Sequence, residues 1–80
     1  MGTAVWLHDD GGVIYHKPNG YLGYAYPTSP ISERVMRAKN RREVRKAMDY
    51  FASSSSGWKN ENLEKHLKEK LAQPGWKLVS

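Results

Sequence analysis

The sequence predicts a small single-domain α+β fold: an N-terminal three-stranded antiparallel meander, then two or three helices, then a possible C-terminal edge strand. Three observations carry this reading. Val, Ile, Trp and Tyr are concentrated in residues 3–26, and two turn signals interrupt them there, Asp9-Asp10-Gly11-Gly12 and Pro18-Asn19-Gly20. Beyond Asn40 the apolar spacing becomes helical, with Val44, Ala47, Met48 and Phe51 at i, i+3, i+4 and i+7. The chain has 80 residues, about half the length at which a second domain is expected, so one core is predicted.

Strands are expected near 3–8, 13–17 and 21–26 within a β-meander over 1–26. Asp-Gly and Asn-Gly supply positive φ at little steric cost, as two-residue hairpin turns require. With Asp10-Gly11 and Asn19-Gly20 at the turn centres, Trp6 lies opposite Tyr15 and Tyr15 opposite Tyr24. One sheet face then carries Trp6, Val13, Tyr15, Leu22, Tyr24 and Tyr26; the other carries Val5, Leu7, Ile14, His16, Gly23 and Ala25. A slip of one residue in either turn exchanges those faces.

A basic helical region is expected over 30–52. Ser29 with Pro30 suits the start of a short helix, and a fourth strand at 33–38 is the alternative. Ile31, Val35 and Ala38 are out of phase with the stripe after Asn40, so the chain should break there before the main helix. Asn40 followed three residues later by Glu43 resembles a capping box. A Ser-rich loop is expected over 53–59, with Trp58 docking the chain back on the core. A C-terminal helix over 60–73 follows, with the stripe Leu63, Leu67, Leu71 and the i, i+4 pairs Glu61 to Lys65 and Glu64 to Lys68. Gln73-Pro74-Gly75 stops it, and 76–79 alternates as a strand would.

Thirteen Lys and Arg against eight Asp and Glu give a net charge of +5, which suits an acidic partner. With no cysteine, disulfides, iron-sulfur clusters and thiolate zinc sites are excluded. The longest apolar or aromatic stretch, Tyr21 to Tyr26, is far too short to cross a bilayer as a helix. Met1 to Leu7 show no basic start, sustained apolar segment or small-residue cleavage site, so an intracellular, cytoplasmic protein is expected. In a chain this short, burial and conformational entropy nearly cancel, so a homodimer or a bound partner can contribute to stability.

The strongest functional signal is the run Arg34, Arg37, Lys39, Arg41, Arg42, Arg45 and Lys46, opposed within its window by Glu43 alone. After Asn40 the cations lie mostly off the apolar stripe, so burying that stripe should leave them in water as a ridge. Arginine forks match phosphate oxygens, and a polyanion releases counterions when such a ridge docks. The competing explanation is a merely solvating helix face, as charge runs commonly are. Trp6, Tyr15, Tyr24 and Tyr26 are candidate contacts for unpaired bases, although a chain poor in Leu and Ile needs such rings in its core.

His8, His16 and His66 sit in different elements without metal-ligand spacing, and no metal or cofactor is expected. No phosphate loop, nucleophile elbow or spaced carboxylate pair appears, so no enzyme is expected either. A meander followed by a helix is similar in outline to the arm-binding domains of tyrosine integrases over about residues 3–52. Those domains read DNA with polar and basic side chains on the sheet, where this sequence offers only Lys17, so no residue role carries over. The expected function is a small nucleic-acid-binding module, for DNA or RNA, contacting phosphates through the ridge. The alternatives are an interaction module or inhibitor of phage or mobile-element type that binds an acidic protein surface, and peripheral attachment to anionic lipid.

Overall fold

The computed structural model describes residues 3–18, 20, 22–50 and 61–80, the side chains of 61–63 excepted. Four strands, β1 (Ala4–His8), β2 (Val13–His16), β3 (Leu22–Ala25) and β4 (Trp76–Leu78), form one antiparallel sheet in the order β3-β2-β1-β4. Between β3 and β4 lie α1 (Pro30–Arg37), α2 (Arg41–Tyr50) and α3 (Glu61–Leu71). The predicted α+β class, the meander and the terminal edge strand are therefore present, and 31–37 is helix rather than strand. The expected contributions of Phe51, Ser53 to Gly57, Trp58 and the Leu63 side chain fall outside the described residues.

The register differs from the expected one by one residue in both hairpins. Val5 lies opposite Tyr15, and Tyr15 opposite Gly23. The cause is the loop length. At the first turn His8 N–H donates to the Gly12 carbonyl (2.8 Å) and Gly11 N–H to the His8 carbonyl (2.9 Å), leaving three loop residues that end on Gly11 at φ +96°. The second turn repeats the pattern, with Gly20 N–H on the Lys17 carbonyl (3.0 Å) and Gly20 at φ +89°. A turn closed by a left-handed glycine is the usual three-residue hairpin, and it takes one residue more than a two-residue loop.

The slip regroups the faces, as a period of two requires. Val5, Leu7, Val13, Tyr15 and Ala25 share one face and pack against Ile31 and Val35 of α1 and Val44 and Met48 of α2. Trp6, Ile14, Leu22 and Tyr24 share the other and pack against Leu67 and Leu71 of α3. Helices on both faces explain why Val13, Ile14 and Tyr15 are buried in succession instead of alternating. Val5, Val13 and Ile14 have no exposed surface, and such burial stabilises by about 1.5–3 kcal/mol per side chain. β4 completes the sheet: Val79 N–H donates to the Val5 carbonyl (2.9 Å) and the Trp76 indole N–H to the Lys70 carbonyl (2.9 Å).

The helix starts follow from their caps. Ser29 Oγ accepts from Ile31 N–H (3.2 Å), and Pro30 occupies a first-turn position where no N–H is needed. Ser32, fully buried, donates its hydroxyl toward the carbonyls of Tyr26 (2.7 Å) and Ala25 (3.2 Å), tying α1 to the end of β3. Asn40 Oδ1 accepts from Glu43 N–H (3.0 Å), while the Glu43 carboxylate accepts from Lys39 N–H (2.6 Å), one residue before the expected partner in a capping box. Ala38 takes extended backbone angles, which breaks α1 from α2 as the change of phase predicts.

Asp10 organises the first turn. Its Oδ1 accepts from Gly12 N–H (2.7 Å) and lies 3.0 Å from His8 Nδ1. The Gly12 amide chiefly, and then His8 and Lys70, hold the Asp10 carboxyl below its usual 3.8 against a smaller cost of lost solvent. A carboxyl depressed by folding contributes stability above its unfolded pKa, and that contribution is lost as pH falls through the folded value. Asp10→Ala is therefore expected to lower the thermal midpoint at neutral pH, with the gap from wild type closing in acid below 3.8.

Gly23 has no side chain because the Tyr15 ring lies where its Cβ would be. Gly23→Ala is expected to destabilise by about 1–3 kcal/mol through overpacking. Ser32→Ala is expected to cost about 0.5–1.5 kcal/mol, the worth of one hydroxyl hydrogen bond, because the Tyr26 carbonyl keeps its bond from Ser29 N–H. Urea unfolding measures both.

Candidate functional site

All seven basic residues of the 34–46 run are exposed, as a solvent-facing ridge requires. They do not share one surface. Val44, Ala47 and Met48 turn α2 toward the sheet, and at about 3.6 residues per turn this places Glu43, Lys46 and Tyr50 on one flank. Arg41 and Arg45 take the opposite flank, and Arg42 points away from the core beside Asp49.

The first flank faces α1. There Arg34, Arg37 and Ala38 meet Glu43, Lys46 and Ala47 around an open groove of about 360 Å³. Two alanines contribute small apolar side chains to its lining, and three cations share it with one carboxylate. Glu43 is held in place by its cap bond to Lys39 N–H. Arg37 pairs with Glu33 at 2.8 Å on the solvent side of α1, and both are well exposed. An exposed i, i+4 pair is weak, and a guanidinium has five N–H donors, so Arg37 keeps donors for a ligand. Among the described residues, Arg37 is the only one of the seven in an ion pair. The Arg34 guanidinium carbon lies 4.1 Å from the centroid of the Tyr50 ring, an attraction worth about 0.5–1 kcal/mol at an exposed site.

The four aromatic candidates separate. Tyr15 is buried in the core beneath α1 and α2, where no base can reach it, and it faces away from Trp6 and Tyr24 because of the register. Trp6 is half-buried against α3. Tyr24 carries the Lys70 ammonium 4.3 Å from its ring centroid and meets Tyr26 edge-on at 5.2 Å. Tyr26, 70% exposed, lies just beyond β3 and is the most accessible of the four.

The histidines stay apart. His16 and His66 are exposed on β2 and α3, while His8 spans the turn, near Asp10 and 3.2 Å from the Pro74 carbonyl. Among the described residues no three His, Asp or Glu side chains are grouped to hold a metal ion.

Tyr50 and Lys70 are the contacts that sequence reasoning misses. For Tyr50 a signal exists, since it follows Lys46 by four residues and so shares its flank. Lys70 reaches Tyr24 only through the docking of α3 on the sheet, which no local pattern encodes. Compared with protein-family models, with curated proteins and with solved structures, the chain finds no match.

Proposed function

We propose that the protein is a small nucleic-acid-binding module that contacts phosphates through Arg34, Arg37, Lys39, Arg41, Arg42, Arg45 and Lys46. The observation that carries this reading is their uniform exposure, with Glu33 on Arg37 as the one ion pair among the described residues of the run. Cations left in water can take the place of the counterions condensed on a polyanion, and the release of those counterions gains entropy. Spread over both flanks and the back of α2, they suit backbone contact tolerant of sequence more than the reading of base edges.

A second reading is an interaction module or inhibitor that lays the same cations on an acidic protein surface. It is favoured by Met36, 57% exposed on α1 beside the basic residues, and by Glu43 within the groove. Among the described residues no helix is long and apolar enough to cross a membrane.

A salt titration separates the two. For duplex DNA the logarithm of affinity should fall linearly with that of salt by about 0.9 per neutralised phosphate, so about four phosphates give a slope near −3.6. Arg41→Ala, Arg42→Ala and Arg45→Ala together should flatten the slope by about 0.9 for each phosphate no longer neutralised, with the thermal midpoint unchanged. Salt-insensitive or absent binding to nucleic acid, with stoichiometric binding to one acidic protein after nuclease treatment, would establish the second reading instead.

A further inference from the structure

The groove between α1 and α2 differs in kind from the rest of the basic surface. Arg41, Arg42 and Arg45 project from a single convex helix, where they can meet the phosphates of any nucleic acid. Arg34, Arg37 and Lys46 instead come from two helices and line one concavity together with Ala38, Glu43 and Ala47. At its side stands Tyr50, 64% exposed, with the Arg34 guanidinium over its ring. Three cations against the one Glu43 carboxylate, itself engaged by Lys39 N–H, leave this gap of about 360 Å³ net positive, which suits a phosphodiester that enters it. A guanidinium plane backed by an aromatic ring suits a base that extends the stack.

The geometry points to a nucleotide subsite for single-stranded nucleic acid in this groove, with the phosphodiester on Arg34, Arg37 and Lys46 and the neighbouring base stacked on the Arg34–Tyr50 pair. This rests on the nucleic-acid reading above and adds strandedness to it. In a duplex the bases are stacked on one another and unavailable to Arg34 or Tyr50. In a single strand, phosphate and unpaired base arrive together. Base stacking on a protein ring tolerates any base, so the subsite selects by strandedness and not by sequence.

Fluorescence anisotropy with a labelled oligo(dT) strand and a labelled duplex of equal length tests the inference. Tyr50→Leu removes the ring and keeps the charge, and it should weaken oligo(dT) binding about 5- to 150-fold. Arg34→Lys keeps the charge and loses the plane, and it should weaken oligo(dT) binding in the same direction. Tyr50→Leu should alter neither the salt slope nor the duplex affinity, and Tyr50→Phe, which keeps a ring, should bind oligo(dT) as the wild type does. Arg34 and Tyr50 are both exposed, and circular dichroism melts check that each variant folds.

Unchanged oligo(dT) affinity in Tyr50→Leu and Arg34→Lys, or an equal loss for duplex and single strand in Tyr50→Leu, would overturn the subsite. In that event the flattened slope of the Arg41, Arg42, Arg45 variant would still uphold the broader reading. Failure of the wild-type protein to bind either probe would remove both.

Discussion

The positive φ of Gly11 and of Gly20 is the constraint on which the rest of the structure depends. A left-handed residue closing each hairpin fixes a three-residue loop, and the loop fixes which strand positions share a face. That grouping gathers Val5, Val13, Tyr15 and Ala25 under α1 and α2, and Ile14 and Leu22 under α3. The small neighbours on these faces then acquire their meaning: Gly23 leaves room for the Tyr15 ring opposite it, which a two-residue turn would have aimed at Tyr24. Once α1 and α2 lie side by side on the first face, their facing flanks define the basic groove.

Much of this architecture is legible in local sequence because its causes are local. Ser29-Pro30 starts α1, Asn40 with Glu43 starts α2, and the phase change between Val35 and Val44 marks the break, all through contacts spanning a few residues. The register is less legible because Asp-Gly and Asn-Gly serve two-residue and three-residue loops alike. Pro18 holds the finer clue: proline favours the second position of a type I turn and Gly the fourth, which places Lys17, Pro18 and Gly20 as they are found. At the first turn the side chain of Asp10, bonded to Gly12 N–H, stabilises the longer loop.

The basic run shows the same limit from the functional side. Composition alone locates the cations, and the amphipathic period of α2 leaves them exposed. Seven charges over thirteen positions cannot all point one way on helices broken at Ala38, however, and the structure sorts six of them into a concave set and a convex set, with Lys39 exposed in the break between the helices. The sorting depends on how α1 packs beside α2, a tertiary fact with no signature in spacing. The aromatic residues are sorted likewise, with Tyr15 committed to the core, Tyr26 left in solvent, and Tyr50 drawn into relation with Arg34 by the neighbouring helix.

The position of β4 bears on how the protein reaches its folded state. β1 sits inside the sheet only because Trp76–Leu78 pairs along its outer side, across nearly the whole length of the chain. On a ribosome β1 and β2 emerge early, with β1's outer rim of amide and carbonyl groups unmatched until the closing strand appears. Contacts this remote in sequence carry a loop-closure cost and slow folding, and an unmatched rim invites pairing with other chains in the interval. The nascent hairpin is thus the stage most exposed to aggregation, and the arrival of three late residues ends that exposure.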